Sequence, residues 1–211
     1  MKERCLAALL IVLLLSGCGS GSAKETVPSA GLEQAETVEA DGAMTAEQTE
    51  KEARSLTVEE VLAAYDQAVE AYSWFDLTPL PAAGTAVELD GGSYLPVDRQ
   101  GMSTMLELRT YLRGLFSEEL VDALLASGGA HPLYQDVDGA LYVLPTSRER
   151  DESKGQADIQ IKPYGQAGYS VIVEVDLLAD GGSTVTGVES YAFPYEFLED
   201  RWVFTDFHLI Y

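Results

Sequence analysis

Asp206 and His208 stand two residues apart near the end of the sequence. On a strand that spacing puts both side chains on one face, where a carboxylate and an imidazole can work as an acid–base pair. The same spacing also describes a surface pair near a frayed end, and nothing nearby supplies an oxyanion site. The sequence favours that plainer reading. Asp136-Val137-Asp138-Gly139 has the first beats of a calcium loop. It lacks the third acidic ligand and the glutamate that closes such loops, so an Asp-Gly hairpin turn is the better reading. The two histidines, His131 and His208, show no His-x-x-x-His spacing, and no histidine metal site is indicated. Gly-x-Ser-x-Gly, Ser-x-x-Lys and Walker A patterns do not occur. The sequence therefore names no catalytic residue, no metal and no cofactor. Carboxylates are so numerous that a catalytic pair can be drawn anywhere, and that abundance argues against drawing one.

One cluster differs from its surroundings. Arg148, Arg150 and Lys154 fall in a polar stretch, residues 145–156, and alternate with Glu149, Asp151 and Glu152. Mixed charge of this kind marks a solvated hairpin tip. It also fits an exposed recognition loop carried by a rigid sheet, and these three cations are the candidate recognition residues.

Their rarity is a matter of composition. The 211 residues include 35 Asp and Glu against 13 Lys and Arg, for a net charge of -22. Such a chain is repelled by phosphate backbones and by anionic lipid headgroups, which argues against nucleic-acid binding and electrostatic membrane binding. Hydrophobic residues make up 46% and aromatic ones 9%, which is too many for a disordered acidic chain.

The first residues set the address. Basic Lys2 and Arg4 precede an apolar run over residues 6–15, a secretory signal too short to span a bilayer comfortably. Leu15-Ser16-Gly17-Cys18 looks like a bacterial lipobox, which implies acylation of the Cys18 thiol and cleavage before it. Residues 1–17 then form a lipoprotein signal peptide. The expected location is extracytoplasmic, with the chain held at the cell membrane by its lipid anchor alone. Cys5 lies in the removed part, so the exported domain has neither a free thiol nor a disulfide.

Residues 18–55 are rich in Gly, Ser, Ala, Thr and Glu and contain no aromatic residue. They cannot bury enough apolar surface to offset their ordering entropy, and they read as a disordered acidic tether. Its root-mean-square span is on the order of 30–35 Å before charge repulsion. Residues 56–211 form the expected domain, with 26 acidic and 8 basic residues.

Within the domain, Thr57-Val58-Glu59-Glu60 and Thr104-Met105-Leu106-Glu107 have capping-box spacing. Each is followed by an apolar stripe of helical period, Val58, Val61, Leu62, Tyr65, Val69 and Tyr72 in the first case. Ser117 is a third N-cap, and Gly128-Gly129 closes its helix. Residues 85–89 and 93–97 form a hairpin about Asp90-Gly91. After Pro132 the period becomes two. Runs at 133–135, 140–144, 157–162, 169–178, 184–193 and 202–207 read as an antiparallel series. Helices followed by a meander predict an α+β domain with its helices packed on one face of a curved antiparallel sheet. The acidic turn Glu199-Asp200 followed by Arg201-Trp202-Val203-Phe204-Thr205-Asp206-Phe207 looks like the closing strand of cystatin-like and NTF2-like folds, which that arrangement would match.

The order of apolar and aromatic positions resembles that of the IseA-type DL-endopeptidase inhibitors. Ser93-Tyr94-Leu95 before a helix, Leu108-Arg109-Thr110-Tyr111-Leu112, Phe116-Ser117-Glu118-Glu119-Leu120, Leu133-Tyr134, Gly139-Ala140-Leu141-Tyr142 and the end around Trp202 carry the resemblance. It implies an exported domain of cystatin-like fold that binds NlpC/P60-type peptidoglycan hydrolases and obstructs their cleft. The expected partner is such a cell-wall hydrolase, or another basic exported protein. An NTF2-like small-molecule binder or enzyme, and an accessory subunit of another exported protein, are the alternatives.

Overall fold

The computed structural model describes residues 54–165, 167–179 and 182–211. The signal peptide, Cys18 and nearly all of the expected tether lie outside the described residues, as does most of the Asp180-Gly181-Gly182 turn. The described part is α+β, with three helices and two antiparallel four-stranded sheets.

Helix α1 spans Val58–Asp76. Its start is fixed by a reciprocal box: Glu60 N donates to Thr57 Oγ1 (3.2 Å) and Thr57 N to Glu60 Oε2 (2.9 Å). The buried stripe is Val61, Tyr65, Ala68, Ala71 and Trp74, whereas Val58 is exposed. The expected stripe is thus rotated, because Ala68 and Ala71 let the helix approach its neighbours closely. Helix α2 (Met105–Arg113) opens on the Thr104–Glu107 box. Helix α3 (Glu118–Leu125) opens on Ser117, whose hydroxyl accepts from Leu120 N. It stops three residues before Gly128, which has φ +91° and where a Cβ would lie 2.5 Å from the His131 carbonyl oxygen.

The strands divide in a way the single-sheet expectation did not contain. β1 (Val87–Leu89), β2 (Gly92–Pro96), β3 (Tyr134–Val137) and β4 (Ala140–Val143) form one sheet in the order β1-β2-β4-β3. β5 (Lys154–Pro163), β6 (Gly168–Leu178), β7 (Val185–Leu198) and β8 (Arg201–Phe204) form a second, a meander curled into a half-barrel. Two short hairpins, separated by α2 and α3, pair with each other through Leu95–Val143 and Pro96–Tyr142. Their three- to five-residue strands do not match the ten- to fourteen-residue strands of β5–β7. A separate sheet is the result.

Helix α1 packs on the inner face of the half-barrel. Tyr65 lies 6.0 Å from Phe193, ring to ring, and Val171, Val173 and Val175 beneath it are fully buried. The centre of the core is Phe207, whose ring lies 4.8–5.7 Å from those of Phe193, Phe204, Phe116, Tyr72 and Tyr65. The last strand therefore ends at Phe204, not at Phe207 as the alternation predicts, because the chain turns inward to bury that ring. The outer edge of β8 is closed by the α2–α3 connection: Ser117 N donates to Phe204 O and Phe204 N to Leu115 O, both at 2.9 Å.

Candidate functional site

The loop between β4 and β5 lies across the end of α1. Arg148 N donates to Leu77 O at 3.1 Å. The loop's last turn is held by Asp151 Oδ1, which accepts from Ser153 N (2.9 Å) and Ser153 Oγ (2.6 Å). These bonds hold the Asp151 carboxyl below its usual range.

Each of the three expected recognition cations has an intramolecular partner. Arg148 grips Asp76, the last residue of α1, with two hydrogen bonds, of which Nε to Oδ1 is 2.8 Å. Its Nη2 also donates to the Tyr211 carbonyl at 2.9 Å. The Asp76 bond raises the guanidinium's already high pKa. The Arg150 guanidinium lies 4.6 Å over the Tyr211 ring. Lys154 is the first residue of β5 and not a loop residue. Its ammonium bonds the Glu189 carboxylate, which also accepts from the Tyr191 hydroxyl. Lys154 pulls the Glu189 carboxyl down first and Tyr191 second, and Glu189 in turn raises the ammonium's pKa. The cations thus do not form one free patch. Arg148 and Arg150 bind the loop to α1 and to the chain end, and Lys154 joins β5 to β7.

The sequence reading missed their partners, Asp76, Glu189, Tyr191 and Tyr211. One signal was available. An aspartate in the last turn of a helix faces the negative end of the dipole, and such a placement calls for a cation from elsewhere.

Asp206 and His208 are both exposed and lie beyond β8. The His208 ring stands edge-on to Tyr191 (5.5 Å) and Phe193 (5.2 Å). Asp138 (φ 53°) and Gly139 (φ 83°) form the two-residue hairpin turn, and Asp136 Oδ1 accepts from Gly139 N at 2.9 Å. Among the described residues no group of three or more His, Cys, Asp or Glu is placed to hold a metal. None of the described helices is long and apolar enough to cross a membrane.

Two hollows flank Phe75 and Asp76. One, about 180 Å³, lies between the end of α1 and the Arg148 loop, with Trp74, Pro79 and Leu133 in its walls. The other, about 280 Å³, lies between α1, α3 and the chain end, with Tyr72, Phe75, Leu120, Leu124 and Leu209 in its walls. Ser127 at its rim spends its hydroxyl proton on Leu124 O at 2.6 Å.

The domain as a whole is acidic. Of the eight basic residues after position 55, Arg99, Arg109, Arg113, Arg148, Lys154 and Arg201 are already ion-paired. Six of the eight cations are thus consumed internally, and among the described residues most of the acidic groups have no cation paired with them. No protein-family model matches the chain, and a search of curated proteins finds no match.

Proposed function

We propose that this chain is an exported lipoprotein, anchored through Cys18, whose domain binds a basic cell-wall hydrolase of the NlpC/P60 DL-endopeptidase type and restrains it without chemistry of its own. The observation that carries the reading is the charge of the folded domain, 26 acidic against 8 basic residues, with most of those 8 already neutralised by partners. A field of this sign draws a cationic protein in and raises its association rate by roughly 10- to 1,000-fold at low salt. It also holds the domain away from an anionic membrane. An α1 helix laid across a curled antiparallel sheet is in keeping with a cystatin-like or NTF2-like fold, and the filled inner face of the sheet favours surface docking over an enclosed ligand.

The test is wall digestion. The chain from Gly19 onward is titrated against an NlpC/P60-type endopeptidase acting on purified wall, at several ionic strengths. Inhibition that weakens as salt rises is expected. Digestion unchanged at every ratio and every salt overturns the reading. The anchor is tested separately: Cys18→Ser moves the protein from the membrane fraction to the soluble one.

A further inference from the structure

The hollow of about 280 Å³ has the features of a docking pocket. Its walls come from three separate elements. Helix α1 supplies Tyr72 and Phe75, α3 supplies Leu120 and Ala123, and the segment after β8 supplies Leu209. Phe75 and Leu120 pack against the core on one side, yet they and Leu209 remain only half-buried because the hollow is open above them. Its lining includes no Lys or Arg. Asp76 and His208 are in its lining, and Asp206, two residues before His208, is exposed. Burial first, then Asp76 and Asp206, raise the Tyr72 phenol above its usual range, so both carboxylates lie within charge range of that hydroxyl.

We propose that this hollow is where the partner docks, and that its occupant is an apolar side chain flanked by Lys or Arg on the surface of the basic hydrolase. The inference rests on the function proposed above and adds the place and the chemistry of the contact. An anchor of this kind, desolvated in a pocket and ringed by complementary charge, carries much of the affinity of an interface. The apolar wall supplies the anchor's seat. Asp206 supplies the ring, since Asp76 is already held by Arg148.

The test measures binding of the chain from Gly19 onward to the catalytic domain of an NlpC/P60-type endopeptidase with net positive charge. Ala123 is exposed, so Ala123→Trp fills the hollow without entering the core. A tenfold or greater loss of affinity is expected, on the order of a hot-spot truncation. Leu120→Lys sets a like charge against the flanking cations and is expected to weaken binding similarly, which guards against a misfolded tryptophan variant. Asp206→Lys and Asp158→Lys change the net charge equally, but Asp158 lies on β5, away from the hollow. Asp206→Lys is expected to cost several-fold more affinity than Asp158→Lys. If wild type binds while Ala123→Trp and Leu120→Lys bind equally well, the hollow is not the site and the hydrolase reading stands. Equal losses for the two aspartate variants overturn the local role of Asp206. If wild type does not bind, both proposals fall.

Discussion

The Tyr134 hydroxyl is a single point at which one sheet holds the end of α1. The residue is 2% exposed. Its hydroxyl donates to Trp74 O at 3.0 Å and accepts from Leu80 N at 2.9 Å. Trp74 lies in the last turn of α1, where carbonyls lack helical partners, so the hydroxyl acts as a C-cap from a distant strand. Tyr134→Phe keeps the ring packing, including the 5.0 Å contact with Phe75, and removes only the bonds. It leaves one buried N–H and one buried C=O unpaired, each costing about 1–3 kcal/mol. The expected loss is about 3 kcal/mol. For a domain of this size, that lowers Tm by about 6–12 °C. Urea and thermal melts of the two proteins measure it, and an unchanged m value shows that the denatured state is not the cause. Tyr94→Phe is the comparison. Its ring is fully buried, but its hydroxyl bonds Pro132 O (2.9 Å) and Gln135 Nε2 (3.0 Å), groups of half-buried residues that water can reach once the hydroxyl is gone, and about 1 kcal/mol is expected. A loss below about 1 kcal/mol for Tyr134→Phe, or a larger loss for Tyr94→Phe, refutes the capping argument.

Four further outcomes are expected. Asp158 lies directly across from Glu174 on β6, so Asp158→Lys replaces repulsion with attraction and stabilises by roughly 0.5–1 kcal/mol. The gain fades near 1 M salt, where the screening length is about 3 Å. Thr104→Ala removes the α2 cap and costs about 1 kcal/mol, with faster amide exchange at Glu107, whose N–H loses its 3.1 Å acceptor. Burial raises the phenols of Tyr65, Tyr134 and Tyr195, the last from 10.0 to about 12. Their contribution is complete below pH 10 and is lost as pH rises from there through the folded values, so melts are level from pH 9 to about 10 and show a fall in stability from there to pH 12. Arg148→Ala releases the chain end, and exchange speeds up over residues 205–211; Arg148→Lys does not restore protection, since an ammonium cannot make the paired bond to Asp76.

Local chemistry was legible in the sequence and long-range pairing was not. Thr57, Thr104 and Ser117 all cap helices, and Asp90-Gly91 and Asp138-Gly139 are both left-handed turns, as their spacing and residue types require. Each of these signals acts over three or four residues. The division into two sheets depends on β2 finding β4 across two intervening helices, and no period in the sequence encodes that choice. The alternation that continues to Phe207 gives no sign that this ring leaves the strand for the core. At the candidate site the unusual cations were visible, but their partners are 72, 63 and 35 residues away. Only the misplaced charge of Asp76 at a helix end hinted that one of them would be answered from elsewhere.

The N-terminal junction gives the domain a defined mechanical attachment. The Tyr169 hydroxyl bonds both backbone groups of Leu56, accepting from N at 2.7 Å and donating to O at 3.0 Å, while Arg54 pairs with Glu60. Tyr169 stands near the start of β6, a strand with a partner on each side. Tension arriving along the chain ahead of Leu56 is therefore shared between the first turn of α1 and the middle of the half-barrel. A pull on that segment strong enough to peel the helix must also break the hold on a strand secured along both edges, so the fold resists force applied at this end.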